Sequence, residues 1–396
     1  MSIGTLYAQE MPGVIRVTGR PAEAGHLKRV VSLFLERAGF SPDALQGVPF
    51  KSIQEGESLS LEIPLMPLPS PSGGEPEQGA APAVKKQKIT LVNAGLPAVP
   101  TKLLAFSNHP EKIKKPGLLF EAGLLKFKPV RLRYYHHVDN GDPARYVGFY
   151  ILNPTKAPAS VHIIESVGGP SRDMMLAGHM NNMKFFHSLE TGQGWVEEIP
   201  PGTARLMRKV LLGPGEVISA NNDLNLIEGG PVHMLVYASD QGEEPVLYPL
   251  QTDKEDRHVR GAYPLTTIRT DVGFSLDQGE SFFNVSDTPI GDIFKFRSTK
   301  GGYGIMYEYD ITLKNPGATE GAAALIFQPR GGVATATFCL DGELISVGTT
   351  KAYQMVRLAR IVLPPGGTKK LRLRTMPEDA SNYPVRLILM TDRQEE

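Results

Sequence analysis

The chain has 396 residues, 41% hydrophobic and 21% charged, and its 42 basic and 42 acidic side chains cancel. A neutral chain has no global field to hold a polyanion, which argues against nucleic-acid binding, and it offers little repulsion between copies. One cysteine, Cys339, excludes an intrachain disulfide, and no apolar run approaches the roughly 18–20 residues a membrane-spanning helix needs.

The 41 glycines and 33 prolines favour short strands joined by tight turns. Ala8-Gln9-Glu10 has the form of a mature exported terminus, so an extracellular or cell-surface location is the expectation, with a cytoplasmic one as its alternative. Residues 11–64 read as a small α/β unit. Val14-Ile15-Arg16-Val17 alternates as a strand, and Leu27, Val30, Val31, Phe34, Leu35 and Ala38 form one helical stripe that Gly39 ends. Ser60-Leu61-Glu62-Ile63 supplies a second strand. A unit of about 50 residues is marginal alone, so it is expected to pack on something else. Residues 65–87, rich in Pro and Gly, read as a linker.

Beyond the linker the pattern is strand, turn, strand, with no amphipathic helix expected. In residues 129–138, Val130, Leu132 and Tyr134 alternate with Arg131, Arg133 and Tyr135. Asp139-Asn140-Gly141-Asp142 then predicts a hairpin into residues 146–152, since Asn-Gly suits the positive φ of a type I′ turn. Four anchors recur in order: Asn153-Pro154 with Asn315-Pro316, Gly168-Gly169 with Gly331-Gly332, residues 211–220 with 362–371, and 231–240 with 384–392. The fold expected is mainly β: two tandem immunoglobulin-like (or related) β-sandwiches from an internal duplication, 88–245 and 260–394. Leu363-Pro364-Pro365-Gly366-Gly367 before the last strands resembles the late-strand hairpin of bacterial immunoglobulin-like surface modules.

Candidate sites are sparse. Trp195, the only tryptophan, sits in a Gly-rich stretch; with Tyr134 and Tyr135 it is a candidate platform for a sugar ring or a partner. Arg172 and Asp173, in GGPSRD, are expected on the rim of a turn. His136, His179 and His187 are the residues a metal would use. Adjacent His136 and His137 face opposite sides of a strand, however, and the eight-residue spacing of His179 and His187 is no standard zinc pattern. The GHMNNMKFFH stretch is expected to be a loop or strand whose Met180, Met183, Phe185 and Phe186 pack inward. Cys339 reads as a small buried strand residue, and Gly-rich 298–304 as a hairpin tip rather than a phosphate loop.

No HExxH, GxSxG or CxxC motif and no dinucleotide fingerprint is present. The function expected is therefore a non-enzymatic exported structural or interaction protein. Its partner is another protein or a second copy of itself, it needs no cofactor, and loops 188–203 and 240–262 carry the binding. The alternatives are a carbohydrate-binding tandem module and a metal-dependent or carboxylate-pair hydrolase.

Overall fold

The computed structural model describes residues 10–68, 85–240, 250–293, 298–299 and 301–392. Most of the expected linker, part of the 240–262 loop and Lys300 of the Gly-rich segment lie outside the described residues.

The N-terminal unit comprises β1 (Val14–Thr18), α1 (Ala24–Arg37), β2 (Ser58–Pro64) and β3 (Lys86–Asn93). In β2, Leu59, Leu61 and Ile63 point inward and the residues between them outward, the period of a half-buried strand. Helix α1 buries Leu27, Val30, Val31, Phe34 and Leu35; Gly39 follows at φ 80°, a conformation that favours glycine at a helix end. Each such side chain contributes on the order of 2 kcal/mol when buried. That stripe needs a surface, and the neighbouring sandwich supplies one. β3 pairs in parallel with β1 and antiparallel with β2, while β1 pairs antiparallel with β9 (Gly194–Ile199). One apolar core runs from Leu27 and Val31 through to Phe149 and Val236.

The remaining strands of the first sandwich are β4 (Leu103–Ser107), β5 (Gly117–Leu124), β6 (Val130–His137), β7 (Arg145–Leu152), β8 (Ala159–Ser171), β10 (Ala204–Leu212), β11 (Val217–Glu228), β12 (Val232–Ser239) and β13 (Arg260–Tyr263). The second sandwich holds β14 (Thr267–Ser275), β15 (Glu280–Val285), the short pair β16 (Ile290–Gly291) and β17 (Ser298–Thr299), then β18 (Met306–Lys314), β19 (Gly321–Pro329), β20 (Ala334–Leu340), β21 (Glu343–Thr350), β22 (Val356–Leu363), β23 (Thr368–Thr375) and β24 (Val385–Thr391). The molecule is mainly β. One sheet of the first sandwich runs β13-β4-β6-β11-β8-β9-β1-β3-β2 and the other β10-β7-β12-β5; in the second sandwich the orders are β14-β18-β23-β20-β21 and β15-β24-β19-β22.

Set side by side, β4-β6-β11-β8-β9 corresponds to β14-β18-β23-β20-β21, and β10-β7-β12-β5 to β22-β19-β24-β15, position for position. Chain order through these strands is a double Greek key, a jelly roll. Segments 211–220 and 362–371 occupy equivalent places (β10 to β11, β22 to β23), as do β12 and β24. The two earlier anchors do not. Asn153 follows β7, whereas Asn315 follows β18, which takes the position of β6. The two asparagines share a local device instead. Each donates from Nδ2 to two or three carbonyls, including one four residues on, and accepts at Oδ1 from the amide two residues on.

Two further expectations are corrected. Residues 139–142 do not close a hairpin: β6 and β7 belong to opposite sheets, and Gly141 is not among the positive-φ glycines. The jelly-roll winding crosses between sheets at that point. The stretch 174–191 is neither loop nor strand but an 18-residue helix, α2 (Met174–Thr191), inserted between β8 and β9. Asp173 accepts at Oδ1 from Leu176 N and so caps its start, and Gly192 at φ 69° ends it.

Candidate functional site

The residues singled out from sequence lie mostly inside. Trp195 is 3% exposed on β9; its Nε1 donates to Glu197 Oε2, and the Arg37 guanidinium lies 5.9 Å from its ring. Tyr134 is in the first core and Tyr135 is buried on the opposite face of β6. None of the three offers a ring to solvent. His136 is fully buried. It donates from Nδ1 to the Pro110 carbonyl and accepts at Nε2 from Ser107 Oγ, and burial lowers its pKa to about 4. His187 pairs with Glu23 at 3.2 Å, and His179 has other partners, so the three histidines are not brought together. Among the described residues no group of three or more His, Cys, Asp or Glu side chains is placed to hold a metal ion. Asp173 caps α2, and Arg172 lines a small hollow with His137 and Asp139. Cys339 is buried, its thiol pushed up by burial, and it accepts a hydrogen bond from Arg374.

What the chain does build is a polar seam between the sandwiches, with α2 running through it. The alternation expected for β6 holds, but its polar face is not in water. Arg131 and Arg133 are 4% and 0% exposed. Arg131 forms a two-pronged pair with Asp223 at 2.7 and 2.9 Å, lies 5.0 Å over the Phe185 ring and donates to Gly304 O in the second sandwich. Arg133 donates to Asn221 Oδ1 at 2.7 Å and reaches Asp379 of the second sandwich at 2.5 Å. Ser219 donates to the other oxygen of Asp379; Asn181 donates to Ser219, and Ser166 donates to Asn181. Charges this deeply buried are tolerable only as pairs, and both oxygens of Asp379 are engaged, one by Arg133 and the other by Ser219.

Helix α2 contributes to both sides. Asn182 donates to Met376 O, Glu190 pairs with Arg374, and Phe185 and Phe186 pack with Met306, Cys339 and Met376. His179 sits with Nε2 2.8 Å from Ser346 Oγ and Nδ1 2.8 Å from Glu378 Oε2. Burial lowers the pKa of His179, but the hydrogen bond and charge of Glu378 outweigh it, and the net shift is upward. This seam was invisible to a search for apolar periodicity, because buried His179, Asn181, Asn182 and Ser188 interrupt the stripe. Asp173 and Gly192, bracketing 18 residues, were the available signal.

The outer face of the five-stranded sheet in the second sandwich is open. A cleft of about 660 Å³ is lined by Asp271, Asp310, Asp341, Lys370 and Arg372, with Thr312 between them. Glu308 beside it accepts from both Arg269 and Arg372 at 2.8 Å. The face carries both signs of charge.

No family model matches the chain, and no curated protein matches it. Among solved structures it is similar to Lac15 from a marine microbial metagenome (10% identity, 88% of this chain and 74% of that one, TM-score 0.15). It is also similar to tripeptidyl peptidase 2 (9%, 85% and 26%, TM-score 0.19) and to the CBM22-1-CBM22-2 tandem of Paenibacillus barcinonensis Xyn10C (8%, 72% and 99%, TM-score 0.15). The chain spans about a quarter of the peptidase. Likenesses this slight carry no functional argument.

Proposed function

We propose that the chain is an exported interaction scaffold: two jelly-roll sandwiches, descended from one by internal duplication, that act as a single body and offer the outer sheet of the second to a protein partner. The observation that carries this reading is the seam. Buried ion pairs such as Arg133–Asp379 add little net stability compared with well-packed apolar residues; the role we assign this one is to favour a single docking geometry. A fixed orientation matters to a protein that presents surfaces.

Descent by duplication is supported by the identical strand orders and by the equivalent late hairpins. A protein partner is favoured over a polyanion because the open cleft sets Asp271, Asp310 and Asp341 beside Lys370 and Arg372, a pattern suited to complementary charges. The glycan alternative loses its platforms, since Trp195, Tyr134 and Tyr135 are enclosed. A photo-crosslinking residue at position 370, introduced in the native cell, tests the proposal. A discrete adduct in the envelope or extracellular fraction, lost in Arg372→Glu, is expected. Uniform smearing, or an adduct confined to the cytosol, contradicts it.

A further inference from the structure

The seam assembles three side chains that no linear motif joins: His179 on α2, Ser346 on β21 and Glu378 between β23 and β24. The Ser346 hydroxyl and the Glu378 carboxylate lie at opposite nitrogens of the imidazole, each at 2.8 Å. A serine nucleophile needs this relay, with a base in reach of its hydroxyl and a third group that fixes the base's tautomer. The carboxylate is itself anchored, for Glu378 is fully buried and its other oxygen accepts from Thr337 Oγ1 at 2.7 Å. His179 is buried, whereas Ser346 faces outward.

We propose that Ser346, His179 and Glu378 form a hydrolytic site for esters of short apolar acyl groups. The acyl class follows from the surroundings. Met183 Sδ is 3.5 Å from Ser346 Oγ, and Leu176, Met180 and Met183 recur at helical spacing on one face of α2. Leu344, two residues before Ser346 on β21, shares its side of the sheet. Leu176, Met180 and Leu344 are 50%, 38% and 38% exposed, apolar surface on the same two elements that carry His179 and Ser346. An acyl chain laid along it takes that surface out of water.

The chemistry balances within the site. The Ser346 hydroxyl passes its proton to Nε2 of neutral His179 as Oγ bonds to the acyl carbon. Collapse of the tetrahedral adduct breaks the bond to the alcohol oxygen, which leaves with the proton from His179. Water then gives a proton to His179 and attacks the acyl-serine; the acid departs, and Oγ recovers its proton. Glu378 stays ionised throughout, holding Nδ1–H. The inference goes beyond the scaffold role and does not depend on it. It departs from the expectation of a non-enzymatic chain, which rested on the duplicated scaffold, the neutral charge, the linker and the absence of local catalytic motifs.

The full chain is incubated with a fluorophosphonate probe, mapped by peptide mass spectrometry, and assayed with p-nitrophenyl butyrate. One adduct, on Ser346, is expected. Hydrolysis should fall about 100-fold or more in both Ser346→Ala and His179→Asn, the scale of a lost nucleophile or general base. Ser346 is exposed, so Ser346→Ala keeps the fold and carries the test even where His179→Asn does not. Absence of an adduct at Ser346, or wild-type hydrolysis by Ser346→Ala, overturns the proposal.

Discussion

Gly178 of α2 lies against the backbone of Asp379 in the second sandwich: a Cβ built on it would stand 2.7 Å from the Asp379 carbonyl oxygen and 2.8 Å from its amide nitrogen. The helix approaches the other sandwich this closely only because residue 178 has no side chain. Gly178→Ala should therefore cost about 1–3 kcal/mol, as overpacking does, and the cost falls on the seam rather than on either core. Cys339, buried in the seam cluster and the only thiol, reports it. Thiol labelling of the native protein should quicken about tenfold in Gly178→Ala, and remain slow in Gly348→Ala, where a Cβ meets nothing within 4 Å.

Arg133 and Asp379 form a buried pair, so removing one partner strands the other. Asp379→Ala should destabilise by about 3–5 kcal/mol in denaturant unfolding. Arg133→Met combined with Asp379→Leu should cost clearly less, because neither partner is left as an unpaired buried charge. A double variant as unstable as the sum of its parts would place the stability of the seam elsewhere.

Acid should weaken the fold through histidines buried neutral. Burial holds His26, His136 and His162 near pKa 4 in the folded chain, against 6.5 for the unfolded one. Their contribution is intact above pH 6.5 and is lost as pH falls toward 4, about 2 kcal/mol per histidine at pH 5. His136→Gln should flatten that slope in melting curves between pH 7 and 5.

His258 has the opposite sign. Glu111 at 2.7 Å and Asp256 at 2.6 Å raise it to about 9, so its contribution is full below pH 6.5 and fades as pH rises through 9. The ring is half exposed, so solvent reduces the effect. His258→Gln should remove a small alkaline loss of stability and leave the acid limb unchanged.

Trp195, enclosed on β9, should emit at short wavelength and resist acrylamide quenching, and soluble sugars should leave its spectrum unaltered. A red-shifted, quenchable emission would restore it as a platform.

Much of the strand pattern was legible in the sequence, and the reasons for the misses are physical. The alternation of Val130, Leu132 and Tyr134 against Arg131, Arg133 and Tyr135 located β6 and its core face, but the sequence did not say that the arginine face meets another sandwich instead of water. The α1 stripe was readable because its other side is partly in solvent. α2 was not, since it buries His179, Asn181, Asn182 and Ser188 beside Phe185 and Phe186 and leaves Leu176 and Met180 exposed, so no single apolar face stands out. The match of Asn153 with Asn315 was a match of turn chemistry, which recurs wherever a strand ends in the same way. Ser346, His179 and Glu378 are separated by up to 199 residues, so only the folded seam joins them.

The distance between the sandwiches tests the single-body account most directly. Spin labels at Glu121→Cys and Lys370→Cys, in a Cys339→Ser background, sit on β5 of the first sandwich and on β23 of the second, both exposed. Pulsed dipolar spectroscopy should return one narrow distance distribution, broadened by Asp379→Ala. A broad or two-peaked distribution in the otherwise wild-type chain would contradict a seam that holds the two sandwiches as one body.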